Sequence, residues 1–263
     1  MTRRDRSALA MQVSHLARRS VVRTLRQPAQ IVPALVFPLF LLAVNTGGLQ
    51  RATRIPGFPT DSYLTFLLAV AFMQGALFSV MNAGTDLARD VETGFLNRLA
   101  LTPLRGPALL AGLLAGVVAL SLVQAATYLT VALAAGASVA AGLPGVLVIV
   151  ALTVSITLGF GAIGLFAALR TGSGEAVQGL FPVLFVMLFL SSGNLPRDLI
   201  QTDWFREVAT YNPVSYLIEA IRSLLIDGWN ARALELGFGI AAAIIVVAMV
   251  AANAALRSRL VRT

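Results

Sequence analysis

The sequence predicts an all-α integral membrane protein. Six transmembrane helices are expected, with an N-terminal interfacial helix and short re-entrant external helices between spans five and six. Three observations predict it. Of the 263 residues, 57% are hydrophobic and only 12% are charged, against about 25% charged in average soluble domains, so a bilayer is the expected solvent. Six apolar runs are long enough to cross a hydrocarbon core. The arginines are unevenly shared between the two sets of connecting segments, as membrane orientation requires. Residues 1–263 read as one transmembrane domain.

Residues 7–27 come first and read as an interfacial helix. Leu9, Val13, Ala17, Val21 and Leu25 form one i, i+4 stripe, with Gln12, His15, Arg19, Arg23 and Arg26 opposite. Such a helix would lie on the membrane with its arginines toward phosphates. The plainer alternative is a helical, topogenic basic tail. The segment does not read as a cleavable signal peptide, because its basic region is long and the first apolar run begins only near Ile31.

The six spans are Ile31–Leu49, with Pro33 and Pro38, then Ser62–Gly84, Ala108–Ala135, Leu143–Leu169, Val177–Gly193, with Pro182, and Leu234–Leu256. Six spans put both termini on one side. That side, with the 85–107 and 170–176 loops, carries 14 Arg and 5 acids; the other carries 6 Arg and 7 acids. The positive-inside rule then places both termini in the cytoplasm. The basic charge is a topology signal, with no nucleic-acid footprint. Gly112 and Gly116, and Gly159, Gly161 and Gly164, permit close helix packing. No acidic residue lies at mid-span, which weighs against ion-coupled transport.

Two connections stand out. The 85–107 loop mixes Asp86, Arg89, Asp90, Glu92 and Arg98 with apolar Phe95, Leu96, Leu99 and Leu101. It reads either as a helical hairpin capping the bundle, its acids balanced by Arg89 and Arg98, or as a docking surface for a soluble partner. The external segment 194–233 holds two helical pieces. The first is Arg197–Thr210. The second begins at Asn212, a good N-cap, followed by Pro213 at the first helical position. Val214 to Ile226 would give roughly 20 Å of apolar helix, too short to span. It carries Tyr216 and, one turn apart, Glu219 and Arg222. Trp204 and Trp229 bracket it and favour the headgroup zone. Partial insertion is preferred here to a loop lying on the bilayer.

The inventory excludes much chemistry. The chain has no Lys and no Cys, and His15 is its only histidine. P-loop, Schiff-base and thiol chemistry are ruled out, and a zinc site or His-based triad inside the membrane is not expected. No catalytic or metal site is expected.

Three passages together resemble the membrane subunit of type-2 ABC exporters, closest to the daunorubicin-resistance type of drug and lipid exporters. Asn212-Pro213-Val214-Ser215-Tyr216-Leu217-Ile218-Glu219-Ala220-Ile221-Arg222 is similar to that family's signature after the fifth span. Arg89-Asp90-Val91-Glu92-Thr93-Gly94, then Leu99 and Thr102-Pro103-Leu104, resembles its second-to-third-span loop. Ser191-Ser192-Gly193-Asn194-Leu195-Pro196 resembles the end of its fifth span. Where many members read Gly-Thr-Leu-Glu, this chain has Gly94-Phe95-Leu96-Asn97. The resemblance implies a permease in a bacterial cell membrane, paired with a second six-span permease, identical or paralogous. Two copies of an ATP-binding cassette subunit would supply ATP and Mg; this chain would need no cofactor. Arg89, Glu92, Gly94, Phe95 and Leu99 would couple to that motor. Asn212, Pro213, Tyr216, Glu219 and Arg222 would form an external gate, with Glu219 and Arg222 pairing with each other or across the dimer. The cargo would be a drug, antibiotic or lipid. A permease for a polysaccharide or lipid-linked glycan, or a non-transporting membrane scaffold, are the alternatives.

Overall fold

The computed structural model describes residues 3–100 and 106–260, with side chains except at 3–10, 12, 97, 99, 100, 107 and 260. The described residues form helices and no strand. In order these are α1 (Arg3–Leu25), α2 (Pro28–Leu49), a 3-10 turn Gln50–Arg54, α3 (Tyr63–Glu92), α4 (Phe95–Ala100), α5 (Gly106–Ala134) and α6 (Gly142–Thr171). There follow α7 (Gly174–Gln178), α8 (Leu180–Phe189), a 3-10 turn Arg197–Leu199, α9 (Asp203–Tyr211), α10 (Pro213–Ile226) and α11 (Ala231–Leu260).

Among the described residues, five helices are long and apolar enough to cross a membrane: α2, α3, α5, α6 and α11. The run expected as Val177–Gly193 departs from this. It forms α7 and α8, which together cover Gly174–Phe189, short of the about 20 residues a hydrocarbon core needs. The length is set where α8 stops at Phe189 and the chain turns through residues 190–194, and Pro182 accounts for the split. It has no N–H for the carbonyl of Gln178 four residues earlier, and α7 ends at Gln178. The external piece expected as Arg197–Thr210 is likewise two pieces, the Arg197–Leu199 turn and α9.

The bundle is built around α3, which packs against α2, α5, α6 and α10. A helix apolar on all sides belongs in the middle, and α3 is buried almost continuously from Tyr63 to Val80. The larger core joins its Phe66, Phe72 and Met73 to Tyr128, Ile149, Leu152, Leu217 and Leu224. A smaller core joins Leu87 to Leu110, Leu165 and Leu256. Leu16 of α1, Leu87 of α3, Leu110 of α5 and Leu256 of α11 meet there, so α1 and the end of α11 share one end of the bundle. α10 lies at the opposite end, where Ala140 and Ala141 donate to Leu225 and Leu224 carbonyls. Polar ties are few. Gln124 donates to the Gly75 carbonyl at 3.2 Å, and Tyr128 donates to that of Ala34, linking α5 to α3 and α2.

Glycine sets the closest approach. A Cβ on Gly164 would lie 2.1 Å from the Val80 carbonyl oxygen. No side chain can yield there, so Gly164→Ala must drive α6 from α3. We expect it to cost about 2–3 kcal/mol, read as a lower unfolding midpoint in detergent. Gly239→Ala is the control: a Cβ there meets nothing within 4 Å, and the midpoint stays where it was. Gly159 and Gly161 face Ile244 and Val117, as span packing requires, but Gly112 and Gly116 face α1 instead of another span. A Cβ on Gly116 would sit 2.5 Å from Thr24 Oγ1.

Candidate functional site

Polar side chains concentrate at the two ends of the bundle. At the α10 end they begin with a local choice. The Asn212 Oδ1 accepts from Val214 N–H at 2.9 Å, which starts α10. From there Asn212, Ser215, Glu219 and Arg222 recur every three or four residues, so they share one face of an otherwise apolar helix. That face meets the chain just after α8. A helix leaves its last carbonyls without intrahelical donors, and α10 supplies donors for several. Asn212 Nδ2 donates to Met187 O at 2.7 Å and to Leu190 O at 3.1 Å. Arg222 Nη1 and Nη2 donate to Ser192 O at 3.0 Å and Gly193 O at 2.7 Å, and Nε to Phe66 O at 3.3 Å. The guanidinium lies 3.6 Å above the Phe66 ring centroid.

Of the two pairings expected for Glu219 and Arg222, the one within the chain is not formed. Glu219 takes a bidentate contact from Arg197, including Nε at 2.7 Å, and a hydrogen bond from Ser192 Oγ at 2.7 Å. Arg222 faces inward, toward backbone carbonyls, while Glu219 faces the turn that carries Arg197. Glu219 holds the Arg197 guanidinium above its ordinary pKa range, and burial pulls that of Arg222 below it. Arg197 also stacks on Tyr216, whose hydroxyl donates to Thr210 O at 2.9 Å. Beside this knot, α2, α3 and α8 enclose a cleft of about 270 Å³. Its walls are mainly apolar, with Leu42, Val70, Leu188 and Phe189, and carry the amides of Asn45 and Gln74.

At the other end, α1 is tied to the end of α3. Arg19 donates to both oxygens of Asp90, at 3.2 and 3.0 Å. Arg23 donates to Asp90 at 2.9 Å and pairs with Asp86 at 3.1 Å. Of the arginines expected to face lipid phosphates, Arg19 and Arg23 therefore face the protein, and Arg26 is exposed. Arg89 and Arg98 do not balance these acids either; both are exposed, and the partners come from α1. Ser20 completes the seam, donating to Leu113 O at 2.8 Å and accepting from Gly116 N–H at 3.2 Å. Of the expected apolar stripe, Leu25 is exposed and Val13, Ala17 and Val21 are half-buried. α3 stops at Glu92, and Gly94 turns the chain at φ +68°, a region that favours glycine. α4 then places Phe95 4.0 Å from the Arg19 guanidinium and buries Leu96. Arg89 and Glu92 point to solvent. The Leu99 side chain and Thr102-Pro103-Leu104 lie outside the described residues.

Compared with known families, residues 11–226 match the ABC-2 type transporter model. The chain belongs to the ABC-2 type transporter family. This ABC-2 transporter is a multi-pass membrane protein of the permease kind. It is 28% identical over 230 residues to the daunorubicin resistance ABC transporter permease protein DrrB1 of Streptomyces coeruleorubidus, covering 83% of this chain and 76% of that one. It is 29% identical over 234 residues to a putative transport permease, ycf38, of Pyropia yezoensis, covering 85% and 77%. A probable doxorubicin resistance ABC transporter permease protein, DrrC, of Mycobacterium tuberculosis is 25% identical over 211 residues, covering 80% and 75%.

In this ABC-2 transporter the structure gathers Asn212, Glu219 and Arg222 on the end of α8, with Pro213 opening α10 and Tyr216 under Arg197. It sets Phe95 beneath Arg19 of α1, directly after the turn at Gly94. Sequence reasoning missed Ser192, Arg197 and Phe66, and the roles of Arg19, Arg23 and Asp90. One signal was available: the 3, 4, 3 spacing of Asn212, Ser215, Glu219 and Arg222 marks a polar stripe that needs a partner.

Proposed function

We propose that the chain is the membrane-spanning subunit of an ATP-driven exporter for hydrophobic or amphiphilic substrates such as drugs or lipids. The match of residues 11–226 to the ABC-2 type transporter family carries this reading, and the drug-resistance names of relatives supply the substrate class. With no Lys in the chain, a P-loop cannot form. A separate ATP-binding cassette subunit, in two copies, supplies ATP and Mg. Both termini lie in the cytoplasm of a bacterial cell, and α7–α8 acts as the fifth of six crossings. The short α9 and α10 then dip into the outer leaflet between spans five and six.

In this reading the motor docks on the turn after α3, at Arg89, Glu92, Gly94, Phe95 and Leu99. A second permease, identical or paralogous, covers α2 and α8. These two helices carry a continuous phenylalanine run, with Phe37 against Phe185 and against Phe78 of α3, and Phe185 between Phe181 and Phe189. Phe189 is 52% exposed. The cleft beside it suits an amphiphile: apolar walls for its body, and the Asn45 and Gln74 amides for a polar substituent. The α10 residues Asn212, Pro213, Tyr216, Glu219 and Arg222 close the path at the external end.

Recovery of the chain in mild detergent tests this. An ATP-binding protein without spans of its own should co-purify; its absence from every mild preparation would defeat the reading. Gly94→Pro gives a second test. Proline fixes φ near about −65°, and it removes the N–H that bonds Val91 O at 3.0 Å. Insertion should remain normal while export falls about tenfold or more, a coupling loss of the usual size. Unchanged export would remove the docking role from this turn.

A further inference from the structure

Ser192 is fully buried, and α10 engages each of its hydrogen-bonding groups. Its N–H donates to Ser215 Oγ at 3.0 Å. Its Oγ donates to Glu219 at 2.7 Å. Its carbonyl accepts from Arg222 at 3.0 Å. Four residues of one helix face, Asn212 included, thus hold the chain from Met187 to Gly193. Gly193 adds a steric limit: a Cβ there would sit 3.3 Å from Val70 Cγ2 of α3. The other end of α8 differs. It begins at the break after α7, where Pro182 leaves the Gln178 carbonyl without its helical donor. So α8 is fixed at its C-terminal end and interrupted at its N-terminal end. It also forms a wall of the 270 Å³ cleft through Leu188 and Phe189, and Gly193 and Asn194 close the same cleft.

We propose that Ser192 is a positioning residue that makes α10 and the C-terminal end of α8 one rigid body, so that the cleft wall moves only with α10. Ser192 touches no substrate in this account; it acts through α8. The three bonds need three different partners on successive turns of α10, a geometry that resists both sliding and rotation. Breaking one side-chain bond loosens the joint without removing the fold's apolar core, because Leu217, Ile218 and Ile221 remain buried beside it. The proposal rests on the exporter reading for the ATP-driven motion that this joint would transmit.

The absence of cysteine from the chain makes the test direct. Spin-label pairs are placed in the full complex with its ATP-binding subunit, reconstituted in phospholipid nanodiscs. Phe189→Cys with Asp227→Cys reports on the joint, and Val44→Cys with Phe189→Cys reports across the cleft. In the otherwise native protein, Mg-ATP with vanadate should change the cleft distance and leave the joint distance unchanged. In Ser192→Ala, and more strongly in Ser192→Ala/Ser215→Ala, the joint distance should broaden and become sensitive to nucleotide. Ser192→Thr, which keeps the hydroxyl, should restore an invariant joint. A purely structural role would lower the unfolding midpoint without creating nucleotide sensitivity. A joint distance as narrow and invariant in the double variant as in the native protein would overturn the proposal. So would a cleft distance that ignores nucleotide while the motor hydrolyses ATP. Failure to recover any ATP-binding subunit instead defeats the exporter reading itself.

Discussion

Arg222→Met is expected to destabilise the protein by about 2–4 kcal/mol and to abolish export. Arg222 is 6% exposed and spends its donors on the carbonyls of Phe66, Ser192 and Gly193. Two effects oppose each other. Removing a buried cation relieves its desolvation cost, and for some buried charges that relief wins. Here the lost partners are three carbonyls around a buried side chain, and each unpaired buried acceptor costs about 1–3 kcal/mol. The loss of the stacked Phe66 contact adds to that. The carbonyl cost should win, because methionine offers no donor to any of them. Arg222→Lys should recover less than half of the loss. An ammonium is a compact point charge and cannot reproduce the planar fork that spans Ser192 and Gly193. Thermal unfolding in detergent, run beside an export assay, reads both. A methionine variant as stable as the native protein would show that the guanidinium is not what secures α10 to α8.

Asp90→Ala should loosen α1 and separate motor binding from export. Asp90 is buried and receives both Arg19 and Arg23. The arginines are half-buried, so water offsets part of the loss, and about 1–3 kcal/mol is expected rather than the full cost of an orphaned buried charge. Arg23 keeps Asp86, but Arg19 loses its only carboxylate among the described residues. Arg19 also lies over Phe95, so the change should reach the turn after α3. Hydrogen exchange should rise along α1, and export should fall about tenfold. Asp90→Asn keeps one acceptor and should lie between the two. Native exchange in α1 of the alanine variant would contradict this account of the seam.

The sequence was informative wherever a property is carried by adjacent residues. Asn212 and Pro213 announced the start of α10, and length placed it among the non-spanning helices. Apolar run length found α2, α3, α5, α6 and α11. Pro182 is visible too, but the run from Val177 reads as continuous because apolarity says nothing about a missing N–H. The polar pairings were hidden for another reason. Arg19 and Asp90 are 71 residues apart, and Ser192 and Arg222 are 30 apart. Charges near in sequence read as natural partners, Arg222 for Glu219 within the chain or across a dimer, and Arg89 and Arg98 for the acids of the 85–107 loop. In a helix bundle the partner is chosen by which helix packs opposite. The 3, 4, 3 stripe on α10 showed that a polar partner existed without saying that it would be backbone.

If this chain is the passive path and another protein the motor, one assay separates them. Inside-out membrane vesicles carrying the chain and its ATP-binding subunit are given doxorubicin. Uptake should require Mg-ATP, vanish when the ATP-binding subunit is omitted, and drop sharply in Arg222→Met. Uptake of equal size without ATP or without that subunit, or none in the complete complex for doxorubicin and for a fluorescent phospholipid alike, would contradict it.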